Sequence, residues 1–123
     1  MKMGSKSNIQ DNCVVHTDGG FPCIIGDGVS IGHGVIIHGS IVDSNCLIGM
    51  GAILMNGSKL GMDCIVGAGS LVLQDVIIPE RSLVVGSPAS VKRKLTGAEI
   101  DKIRENAKHY CEFTMSYLRE KYS

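Results

Sequence analysis

VDSNCL IGMGAI LMNGSK LGMDCI VGAGSL VLQDVI IPERSL V, residues 42–84, divides into seven consecutive hexads and the first residue of an eighth. Val42, Ile48, Leu54, Leu60, Val66, Val72, Ile78 and Val84 open them, and all are aliphatic. Upstream the same period gives Ile25, Ile31 and Ile37, and before that Met3, Ile9 and Val15. The phase breaks only between Val15 and Ile25 and between Ile37 and Val42. The second slot is often glycine, at 4, 26, 32, 49, 61 and 67. The fifth is small or β-branched, as at Ser7, Val29, Ala52 and Ser70.

A period of six matches neither a 3.6-residue helix nor a long alternating strand. It matches short strands joined at regular corners, three hexads to a triangular coil. Opening residues then point inward and stack on the coils above and below, about 4.8 Å away. The expected fold is mainly β, a parallel β-helix over residues 1–90. Gly86-Ser87-Pro88-Ala89 closes it with turn residues. Thr96-Gly97-Ala98-Glu99 then reads as a capping box. Ile100, Ile103, Ala107, Tyr110, Thr114, Tyr117 and Leu118 follow at helical spacing. This predicts a C-terminal amphipathic helix within 91–123, packed on a prism face.

Composition agrees. Aromatics are 4% of the chain and Trp is absent, while Gly numbers 16, so a narrow aliphatic interior is expected. Lys+Arg and Asp+Glu both number 12, which disfavours a general nucleic-acid partner. No apolar run approaches the roughly 18–20 residues of a membrane span. The opening residues lack a secretory segment, and a cytoplasmic location is expected. Five cysteines without a CxxC pair disfavour a disulfide framework or a cysteine zinc site. Cys13, Cys46 and Cys64 fall in the fifth slot and read as small buried hydrophobes.

Three of the four histidines lie in the repeat. His16 and His38 both hold the second slot and are one full coil apart. They should stack at one corner, with Cα atoms roughly 5 Å apart, where two imidazoles can share an ion. His33 holds a third slot and faces elsewhere, so a neighbouring subunit packed around a threefold axis would have to supply it. Three imidazoles with an open position describe a catalytic rather than a structural metal site. Asp11 lies one coil from His33 in the same slot and could orient its ring. Gln10, beside it, could orient a water. His109 belongs to the helix and reads as unrelated.

Asn8-Ile9-Gln10-Asp11-Asn12, Val14-Val15-His16, Ile31-Gly32-His33 and Ile37-His38-Gly39 together resemble γ-class carbonic anhydrase-like proteins. Ile48-Gly49-Met50-Gly51-Ala52, Val66-Gly67-Ala68-Gly69-Ser70 and the exit Val85-Gly86-Ser87-Pro88-Ala89 extend the likeness over nearly the whole chain. The resemblance implies a left-handed coil, a homotrimer and a divalent metal, usually zinc, with iron or cobalt as alternatives. It implies His16 and His38 as ligands from one subunit and His33 as the ligand from the next. Gln10 and Asp11 take the catalytic polar positions, and carbon dioxide and bicarbonate are the substrates.

Two departures bear on activity. The family's N-terminal coils, with a supporting Arg and Asp, have no counterpart here, and the first Arg is Arg81. The acidic loop is also missing, since no Glu precedes Glu80. The chain therefore reads as a truncated form in which hydration is expected to be weak. Two further functions fit the same repeat: a non-catalytic metal-binding trimeric scaffold, and a hexapeptide acyltransferase with a histidine base.

Overall fold

The computed structural model of the protein describes residues 2–17 and 19–106. The strands in chain order are β1 (Lys2–Met3), β2 (Asn8–Ile9), β3 (Val14–His16), β4 (Ile24–Ile25), β5 (Ser30–Ile31), β6 (Ile36–His38), β7 (Ile41–Val42) and β8 (Leu47–Ile48). They continue as β9 (Ile53–Leu54), β10 (Lys59–Leu60), β11 (Ile65–Val66), β12 (Leu71–Val72), β13 (Ile77–Ile78), β14 (Ser82–Gly86) and β15 (Ala89–Lys94). Every third strand joins the same sheet, in the orders β1-β4-β7-β10-β13, β2-β5-β8-β11-β14-β15 and β3-β6-β9-β12. All pairings are parallel except the last, β14 with β15. The result is a β-solenoid of about 5 turns with three flat faces.

The hexad openers form the inward ladder. Ile31, Ile37, Ile48, Leu54, Val66, Val72 and Val84 have no exposed surface. The second-slot glycines let successive coils close up: a Cβ on Gly49 would stand 2.6 Å from the backbone nitrogen of Ala68. The fourth slot turns each corner in the left-handed region. Gly28, Gly51 and Gly69 occupy it at φ 66°, 71° and 68°, and Asn12, Asn45 and Asp63 at 63°, 58° and 58°. Only glycine, and to a lesser degree Asn and Asp, adopts that conformation at little cost. The excess of glycine thus serves both the corners and the close approach of successive coils. Cys46 and Cys64 are fully buried in the fifth slot, and their thiols donate to the carbonyls of Gly61 and Pro79, both at 3.2 Å.

The end of the solenoid differs from the expected simple exit at Pro88. β14 reverses through Ser87-Pro88, whose peptide is cis, into antiparallel β15. This strand is almost wholly exposed and carries few apolar residues, so it has no periodic signature. A helix, α1, follows; residues 97–106 of it are described. Ala107, His109, Tyr110, Thr114, Tyr117 and Leu118 lie outside the described residues.

Leu95, Ile100 and Ile103 cover Leu47, Ile65 and Leu83 on the outer face of the β2-containing sheet of the same chain. Arg104 reaches the fully buried carboxylate of Asp63 with two hydrogen bonds, of 3.2 and 3.0 Å. The capping box forms as expected: Glu99 N–H donates to Thr96 Oγ1 at 3.2 Å, and Thr96 N–H donates to Glu99 Oε1 at 3.0 Å.

Arg93 also grips Glu99, at 2.7 and 2.9 Å. The guanidinium first, and the Thr96 amide second, hold the Glu99 carboxyl down at about 2 from an ordinary 4.5. A depressed carboxyl stabilises the fold above its ordinary value and loses that contribution as pH falls toward the folded one. The first turn of α1 should therefore loosen between about pH 4.5 and 2. Carbon chemical shifts of residues 97–100 would follow it, and Glu99→Gln should abolish the pH dependence.

Candidate metal centre

His16 ends β3 and His38 ends β6, and the parallel register sets them directly opposite each other. Their rings stack with centroids 4.6 Å apart and planes inclined by 26°. Coil-by-coil counting placed them together, and the strand pairing does so across the ten-residue step from Val15 to Ile25. His38 has a further partner that this counting did not find. Its Nδ1 lies 2.7 Å from Asn56 Oδ1, just beyond β9 on the next coil. An amide oxygen only accepts, so Nδ1–H donates, and in the neutral imidazole Nε2 then carries the lone pair.

His33 lies in the turn between β5 and β6, at the other edge of the face made by β3, β6, β9 and β12. Among the described residues, no three His, Cys, Asp or Glu side chains converge within the chain. Asp11 does lie one coil from His33, and the Gly34 amide donates to its carbonyl at 3.1 Å. Its exposed carboxylate makes no hydrogen bond to the His33 ring among the described residues. Gln10 Nε2 donates to Asn8 Oδ1 at 3.1 Å, and Asn8 Nδ2 donates to Ser30 Oγ at 3.1 Å. These three and His33 line a shallow groove of about 240 Å³, completed by Leu47 and Met50. Gln10 is thus held on the His33 side, away from the stacked pair.

The donor set suits a borderline ion such as zinc, which takes neutral imidazole nitrogens and tolerates an open position. The stacked pair offers two such nitrogens, and the ring of one of them, His38, meets the Asn56 amide.

A family model described as bacterial transferase hexapeptide (six repeats) matches residues 39–74. A Methanocaldococcus jannaschii protein named "Probable carbonic anhydrase" is 58% identical over 112 residues, covering 91% of this chain and 70% of that one. The chain belongs to the γ-class carbonic anhydrase-like family. The mitochondrial gamma carbonic anhydrase 2 of Arabidopsis thaliana is 39% identical over 126 residues, and the chain spans 45% of its length. A hexapeptide transferase family protein from Anaplasma phagocytophilum superposes with a TM-score of 0.88 at 35% identity, covering 94% of this chain and 68% of that one. No described helix is long and apolar enough to cross a membrane.

Proposed function

We propose that three copies of this chain assemble around a threefold axis and that each interface holds one divalent metal, zinc in the first instance, for the hydration of carbon dioxide. His16 and His38 of one copy and His33 of the next are the ligands. The observation that carries this reading is the placement of the stacked pair and His33 on opposite edges of one face. Packing that face toward a threefold axis brings unlike edges together, the heterologous contact that closes a ring.

The face itself favours burial. Its outward residues are Val14, Ile36, Ile53 and Leu71, in continuous register, and Val14 is 50% exposed in the single chain. An aliphatic stripe of this kind marks an interaction surface.

A divalent ion at such a site supplies Lewis acidity, which lowers the pKa of water into the neutral range. The chain's own residues do the rest. The imidazoles hold the ion without adding negative charge. Gln10, braced by Asn8, presents its amide beside His33 to orient water or bicarbonate. Asp11, exposed on the same side, accepts a proton and passes it to solvent.

Sedimentation of the metal-loaded protein should show a trimer. Ile53→Glu should convert it to monomers and release the metal together with the contact; a monomer retaining full metal would overturn the interface site. Stopped-flow measurement on zinc-, iron- and cobalt-loaded trimer should show metal-dependent hydration above the uncatalysed rate. A fully zinc-loaded trimer with none would support the scaffold reading instead. Coenzyme A binding by calorimetry tests the acyltransferase reading, which is favoured by the close fit to the Anaplasma hexapeptide transferase family protein.

A further inference from the structure

We infer that Asn56 is a positioning residue that turns His38 Nε2 outward as the ligating nitrogen, and that Gly39 is glycine so that Asn56 can reach it. The inference rests on the metal site proposed above. An unconstrained imidazole in water favours the proton on Nε2, which would block that nitrogen as a ligand. The 2.7 Å contact between His38 Nδ1 and Asn56 Oδ1 imposes the opposite tautomer, because the amide oxygen can only accept. Outer partners of this kind fix both the tautomer and the direction of a metal-ligating histidine. An amide does so without adding a charge to the ligand set.

Gly39 stands between the two coils. A Cβ there would lie 2.5 Å from Asn56 Oδ1 and 2.6 Å from Phe21 Cβ, both too close for any real side chain. Gly39 also sits at φ 54°, in the left-handed region, where the coil shortens after His38. The five-residue step from Ile37 to Val42 thus has a local purpose. At this shortened corner the Asn56 side chain of the next coil reaches the His38 ring. His16 stacks on that ring, so one amide orders both imidazoles.

The test reads the tautomer in the metal-free protein, where no ion can impose it. Ring ¹⁵N spectra at a pH where imidazole is neutral should show His38 protonated at Nδ1. Asn56→Leu, similar in size but without an acceptor, should shift the proton to Nε2. It should also weaken Zn²⁺ binding, measured by competition with a chromophoric chelator, by about 10–100-fold. Asn56→Asp restores an acceptor and should restore the Nδ1–H form, with affinity within several-fold of the parent. Gly39→Ala keeps Asn56 but displaces it, and should reproduce the Asn56→Leu result in both readouts.

Unchanged tautomer and affinity in Asn56→Leu would overturn the inference. So would a loss of affinity in Asn56→Asp as large as in Asn56→Leu, which would indicate a packing role. If the parent protein shows the Asn56-dependent tautomer but binds no Zn²⁺, the metal reading fails and the hold of Asn56 on the ring stands.

Discussion

His38→Ala should empty the protein of metal, from about one ion per chain to about a tenth or less, because an imidazole site with one of three ligands removed is no longer competitive with buffer. His16→Ala should do the same, and so should His33→Ala, although His33 lies at the far edge of its own face. His109→Ala should leave metal content unchanged. The decisive form of the experiment mixes two empty proteins. Where His16→Ala and His33→Ala chains are refolded together, an interface can pair intact His16 and His38 from one with intact His33 from the other. Metal should return to part of the mixture, as measured by elemental analysis of the trimer fraction. No recovery in a well-formed mixed trimer, or full metal in a triple variant of the solenoid histidines, would show that the ion is held elsewhere.

Leu54→Ala should cost about 3–4 kcal/mol of folding free energy. Leu54 is fully buried, with Ile37 and Val72 as its partners on the coils either side. The coils cannot collapse into the void. The Met55 amide is tied to the Val72 carbonyl at 3.0 Å, and the Ile36 amide to the Ala52 carbonyl at 3.0 Å. Domains of this size have about 5–15 kcal/mol in all, so the loss is a large fraction of the whole. The denaturant midpoint should fall at unchanged slope, since the surface exposed on unfolding is nearly the same. Met55→Ala, one residue along but 38% exposed and pointing outward, should have a much smaller effect. Equal midpoints for the two variants would contradict the single-file packing of the interior.

The ladder was legible because its period is set by the corners, and every hexad from Ile25 to Val84 repeats one inward aliphatic. The pairing of His16 with His38 followed from the same counting, since slot and coil number together define a column. The capping box at Thr96 and Glu99 was legible because both halves are local in sequence.

Other features were not. β15 has Val91 as one of its few apolar residues, and it is held by pairing with β14 rather than by a buried face. Asn56 escaped because it lies beyond the shortened coil, where slot numbers no longer match between neighbours. The partner of His33 is not written in one chain at all: it depends on which faces meet, and exposure of Val14 and Ile53 became visible only once the faces had been folded. The fourth-slot alternation of Gly, Asn and Asp was present in the sequence, and its meaning needed the φ angles.

The hexad corners also give this chain something like a reading frame. A residue's column is fixed by its count from the previous corner, so an inserted or deleted residue shifts its hexad out of column unless a corner absorbs it, as the five-residue step from Ile37 to Val42 does. One extra residue within β5, between Ser30 and Ile31, would move His33 out of its column unless the following corner absorbed it. The same residue added at Gly19-Gly20, which are exposed between β3 and β4, would be absorbed without moving either histidine. Length variation in such a protein should therefore collect at exposed loops and at corners able to absorb it, or come in whole coils, and one-residue indels within a strand should displace the surface residues of that hexad.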